Sequence, residues 1–107
     1  AGMSELRMLN LARNRLHGRI PGEWGPGMKG LRFLVLYSNR LSGEIPPSLF
    51  SMKLLQQVVL SSNQLTGGIP SSILRVSGTL SLLDLRDNKL SGNLPSSLAN
   101  LSQLLFL

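Results

Sequence analysis

Few residues of this 107-residue chain carry groups that could do chemistry, and most of them are arginines, asparagines or isolated acids. Asp84 and Asp87 flank Arg86. Two such carboxylates could work as acid and base, but the guanidinium between them makes a surface ion pair the plainer reading. The only histidine, His17, sits between Leu16 and Gly18 with no acid in its own stretch, which reads as a solvent-facing turn. No nucleophile, base and orienting group fall together, and no metal-ligand spacing occurs. There is no cysteine, hence no thiolate and no disulfide. No catalysis and no cofactor are expected. Asn100-Leu101-Ser102 is the one glycosylation sequon, an acceptor only in a secreted protein and otherwise an ordinary polar return residue.

The asparagines are the exception to this scatter. Asn14, Asn39, Asn63 and Asn88 step by 25, 24 and 25 residues, and Gly18, Gly43, Gly67 and Gly92 take the same steps, as do Pro21, Pro46, Pro70 and Pro95. Each set lies in one recurring stretch: LRMLNLARNRLHGRIP at 6–21, LRFLVLYSNRLSGEIP at 31–46, LQQVVLSSNQLTGGIP at 55–70 and LSLLDLRDNKLSGNLP at 80–95. A fixed period of this size with L-x-x-L-x-L-x-x-N is the leucine-rich-repeat signature: a strand and a return segment per turn, stacked so that neighbours bury each other's leucines. The turns are 6–30, 31–54, 55–79 and 80–103, with a partial turn at 104–107, in one domain spanning 1–107. The pattern is cut at both ends without polar caps, so the chain reads as a piece of a longer array.

Strand side chains alternate between faces. Leu6, Leu9 and Leu11 and their equivalents point inward, and Leu16 and Ile20 form the next buried pair. An inward asparagine amide, donor and acceptor at once, should bond loop backbone in its own and adjacent turns, so that Asn14, Asn39, Asn63 and Asn88 form a structural ladder. After Pro21, the sequence GEWGPG at 22–27 predicts an irregular loop in place of a helical return such as 96–101, with Trp24 at a core position. Residues 71–79 form a return with one extra residue near Ser77-Gly78.

The outward positions form columns: Met8, Phe33, Gln57 and Leu82; Asn10, Val35, Val59 and Asp84; Ala12, Tyr37, Ser61 and Arg86; then Arg13, Ser38, Ser62 and Asp87. Phe33, Val35, Tyr37, Val59 and Leu82 would make an exposed apolar patch, which can mark an interaction site. Packing between neighbouring strands is the alternative. Inward positions are already filled by leucines, which favours binding. Tyr37, Phe33 and Arg86 are the expected anchors.

The net charge is +6, with +5 of it in residues 1–54 and +1 in 55–107. Arg7 and Arg32 recur at strand starts, and Arg15, Arg40 and Lys89 recur after the asparagines. Either column could meet an acidic partner such as a carboxylated polysaccharide, although solvated edges explain them as well. The basic residues are single and lack interleaved aromatics, which argues against nucleic acid. Residues 1–20 carry four arginines and no clean apolar run, so no secretory signal is visible. No stretch is apolar enough for a membrane helix.

The second half of each repeat, L-x-G-x-[IL]-P, resembles the plant-type leucine-rich repeat over essentially the whole chain. Similar proteins are the ectodomains of plant receptor-like kinases and receptor-like proteins, and polygalacturonase inhibitors. The resemblance implies an α/β solenoid: an extracellular right-handed superhelix of about four repeats of 24–25 residues, with a concave parallel sheet and a second short strand at L-x-G. It implies a non-catalytic recognition module of a plant cell-surface receptor in defence or in peptide or hormone signalling, with a protein or peptide ligand, a co-receptor or a cell-wall hydrolase as partner. The alternatives are an inhibitor of such a hydrolase and, less favoured by the irregular outward columns, an ice-growth modifier. The ligand is expected on the concave face at Met8, Asn10, Phe33, Val35, Tyr37, Gln57, Val59, Leu82, Asp84 and Arg86.

Overall fold

The structure, a computed structural model, describes residues 5–76, 78–91 and 105–106. Asn100, the return at 96–101, Gly92, Pro95 and the extra residue at Ser77 lie outside the described residues. In chain order the strands are β1 (Met8–Asn10), β2 (His17–Arg19), β3 (Phe33–Val35), β4 (Arg40–Glu44), β5 (Gln57–Val59), β6 (Gln64–Gly67), β7 (Leu82–Asp84), β8 (Lys89–Leu90) and β9 (Leu105–Phe106).

The odd-numbered strands form one five-stranded parallel sheet in the order β1-β3-β5-β7-β9, and the even-numbered strands a second sheet in the order β2-β4-β6-β8. Register follows the sequence period. Met8 pairs with Phe33, Phe33 with Gln57 and Gln57 with Leu82. Consecutive turns therefore stack without slippage, as a fold built by repetition requires. Alternation along the first sheet puts Leu34, Val58 and Leu83 in the core, with Leu36, Leu60 and Leu85 following, while Phe33, Val35, Gln57, Val59 and Leu82 between them stay half-buried.

Leu16 departs from the expected buried position. It is 36% exposed, whereas the equivalent Leu41 and Leu65 are buried. Among the described residues, each of those two is flanked by a turn on either side and Leu16 by a turn on one side. Leu6, Leu9 and Leu11 are likewise only partly buried, packed against the core from its edge.

The return segments are short. Pro47–Ser51 and Ser71–Val76 are 3-10 helices whose inner sides bury Leu49, Phe50, Ile73 and Val76. Pro46 sets the extended entry to the first of these, and Pro47 occupies its first helical position, where a missing N–H costs nothing. The expected irregular loop at 22–27 contains instead one α-helical turn, α1 (Trp24–Gly27). Gly27 N–H donates to Glu23 O at 3.0 Å and Met28 N–H to Trp24 O at 2.9 Å. The reason is close packing. A Cβ on Gly25 would collide with the Ser48 carbonyl oxygen and lie 2.7 Å from Ser51 Oγ. The glycine therefore lets α1 lie directly on the next return, where Ser48 Oγ donates to Gly22 O at 2.7 Å. Trp24 is partly buried against the core.

Candidate recognition surface

The outer face of the first sheet is set by a ladder beneath its C-terminal edge. In the second turn, Leu16 N–H donates to Asn39 Oδ1 at 3.1 Å, and Asn39 Nδ2 donates to Leu11 O and Leu36 O, both at 3.0 Å. Asn63 accepts from Leu41 N–H at 3.0 Å and donates to Leu36 O and Leu60 O. Asn88 accepts from Leu65 N–H at 3.0 Å and donates to Leu60 O and Leu85 O. Each amide thus ties its own strand exit to that of the turn before it. Asn14 is exposed and donates only within its own turn, to Leu11 O and Ala12 O.

The residue before each asparagine is left-handed: Arg13, Ser38, Ser62 and Asp87 have φ of 58°, 58°, 57° and 62°. None is a glycine, so each pays a local cost of about 1–2 kcal/mol that the ladder must hold. This turn re-aims the chain away from the first sheet toward the second. Gly43 and Gly67, at φ 75° and 76°, complete the second sheet, and the side chains of Arg19 and Glu44 from the preceding turns lie over them.

On this frame the candidate residues form rows. Met8, 53% exposed, stands at the end of the row containing half-buried Phe33, Gln57 and Leu82. Exposed Asn10 begins the row of half-buried Val35 and Val59, which continues through Asp84 to its register partner Phe106 in β9. Half-buried Tyr37 follows β3, and the Arg13 guanidinium lies 5.8 Å from its ring centroid, within reach of a cation–π attraction. The apolar members lie in two adjacent rows across β3, β5 and β7, with Gln57 between Phe33 and Leu82.

Asp84 differs from the others. It is only 6% exposed, and its carboxylate is already engaged: Arg86 Nε donates to Oδ1 at 3.0 Å, Arg86 Nη2 to Oδ2 at 2.8 Å and the Arg86 backbone N–H to Oδ1 at 3.2 Å. The side-chain hydrogen bonds from Arg86 hold the Asp84 carboxyl below the usual carboxylate range, and partial burial opposes this without reversing it. Asp84 thus orients Arg86, whose side chain remains 58% exposed. Asn10 closes the same local turn in the first repeat, with Ala12 N–H donating to its Oδ1 at 3.1 Å. Asp87 does not join the pair; Ser62 Oγ donates to its Oδ2 at 3.2 Å. Among the described residues no group of three or more His, Cys, Asp or Glu could hold a metal ion, and no helix is long and apolar enough to cross a membrane.

Comparison with known proteins decides the family. The pattern described as "Leucine rich repeat" matches residues 4–65, and a further one of the same description matches residues 79–101. The chain belongs to the leucine-rich-repeat family. Its solved neighbours make it plant-type. The BIR2 ectodomain from Arabidopsis thaliana is 39% identical with a TM-score of 0.81, over 84% of this chain and 46% of that one. The plant peptide hormone receptor RGFR1 in complex with RGF2 is 38% identical with a TM-score of 0.87, over 97% and 16%. The Arabidopsis receptor kinase HAESA, in complex with the peptide hormone IDA and the co-receptor SERK1, is 36% identical with a TM-score of 0.84, over 97% and 17%. The chain therefore spans less than half the length of these leucine-rich-repeat proteins. No match is found among curated proteins.

Proposed function

We propose that this leucine-rich-repeat chain is the recognition segment of a plant cell-surface receptor, displayed outside the cell, which lays its first sheet against a peptide or protein ligand and catalyses no reaction. The observation that carries this reading is the half-buried apolar patch formed by two adjacent rows. Phe33, Val35, Val59 and Leu82 face outward while the core beneath is filled by Leu34, Leu36, Val58, Leu60, Leu83 and Leu85. Contiguous outward apolar groups on a rigid sheet suit a partner better than solvent. Tyr37 and Arg86 flank the patch as rigid aromatic and oriented cationic anchors, the residue types that dominate interface energetics. The likeness to receptors solved with peptide hormones and a co-receptor points to the same ligand class here.

The test is an affinity screen of the immobilised chain against the peptides RGF2 and IDA and a SERK1 ectodomain. For the tightest binder, Phe33→Ala and Tyr37→Ala should each weaken affinity about tenfold or more with an unchanged urea midpoint. An affinity indifferent to both substitutions contradicts the reading.

A further inference from the structure

At the N-terminal ends of β1, β3 and β5 lies a pocket of about 420 Å³ lined by Glu5, Arg7, Gly30, Arg32 and Leu54. Arg7 and Arg32 come from consecutive turns locked in register, because Arg32 N–H donates to Arg7 O at 2.8 Å. Their backbones are therefore carried about one strand spacing apart, roughly 4.8 Å, and both side chains line the one pocket. No side chain among the described residues pairs with either guanidinium or with Glu5. Arg32 Nε is buried with no hydrogen-bond partner. The two terminal nitrogens of Arg32, equally unpartnered, are not buried in this way. Burial thus grips the stem of the side chain and leaves its outer fork open.

We propose that this pocket binds one carboxylate of the ligand, presented by an acidic side chain of a peptide or protein crossing the strands. Three features select that group. A carboxylate is an acceptor-only fork that matches guanidinium geometry. Two arginines against one glutamate leave a single surplus positive charge, which a monoanion neutralises and a dianionic phosphate would overshoot beside Glu5. Leu54, 45% exposed on the pocket wall, suits the methylene stem of an aspartate or glutamate. Arg7 and Arg32 immediately precede Met8 and Phe33 in the chain, so the pocket lies at the N-terminal edge of the proposed ligand surface and the proposal rests on that reading.

The probe is N-acetyl-glutamic acid α-amide, which carries only the side-chain carboxylate, titrated into the chain while the arginine Nε–Hε resonances are followed by NMR. N-acetyl-glutamine amide and inorganic phosphate are the comparison probes. The Arg7 and Arg32 signals should move together along one saturating curve with the glutamic probe, those of Arg15 and Arg75 should stay, and the glutamine probe should move none. Arg32→Gln and, separately, the more exposed Arg7→Gln should weaken the probe about tenfold, with Arg15→Gln without effect. The proposal is overturned if Arg7 and Arg32 respond no more than Arg15, if the glutamine probe acts equally, or if phosphate binds more tightly. Because the probe reads the pocket without any protein ligand, a pocket that titrates while no peptide binds indicts the receptor reading alone. Peptide binding with a silent pocket indicts only this proposal.

Discussion

The asparagine amides show most directly how single residues hold this fold. Asn63 is buried and satisfies one backbone donor and three backbone acceptors from two turns. Asn63→Ala leaves those groups without partners in the interior and should cost about 1–3 kcal/mol in a urea melt. Asn14→Ala, at an exposed position bonded only within its own turn, should cost clearly less. Asp84 makes a second residue-scale prediction. Its folded pKa is depressed by Arg86, so its contribution is complete above the unfolded value of about 3.9 and is lost as pH falls through the lower folded value. Between pH 6 and pH 3, Asp84→Asn should therefore lose less stability than the wild type. An equal loss would show that the pair does not persist in solution. The pairing was visible in the spacing of residues 84 and 86, but the depth of Asp84 was not, because burial depends on neighbouring strands.

Among the elements, strands were legible and the return at 22–27 was not. Alternating leucines every turn dictate one inward and one outward face, and the period dictates the register. The left-handed residues Arg13, Ser38, Ser62 and Asp87 left no signal, since no residue type is common to them and none is glycine. Residues 22–27 misled for a physical reason: glycine there reads as freedom, whereas Gly25 serves close approach. Gly25→Ala should cost about 1–3 kcal/mol through overpacking against Ser48 and Ser51. Gly27→Ala, where a Cβ would meet nothing within 4 Å, should be neutral or slightly stabilising. Equal urea midpoints for the two variants would contradict the packing role assigned to α1.

The whole molecule is a stack in which each turn is stabilised by the turns beside it. Among the described residues Leu41 and Leu65, each between two turns, are buried, a burial no single repeat could reveal. The same stacking aligns outward residues from successive turns into rows, so a face assembled from β3, β5 and β7 behaves as one surface. The composition of that face was readable from the alternation, whereas the ligand that fits it depends on shape and charge that the repeat pattern leaves open. Its use for binding is the central claim, and site-specific crosslinking tests it most directly. A photoreactive phenylalanine analogue would be placed at Val59, on the outward face of β5, or at Leu74, exposed on the return Ser71–Val76. The chain would then be irradiated with the tightest binder of the peptide panel. A covalent adduct is expected from Val59 and none from Leu74. An adduct from Leu74 with Val59 silent would contradict it, placing the ligand on the opposite side of the solenoid.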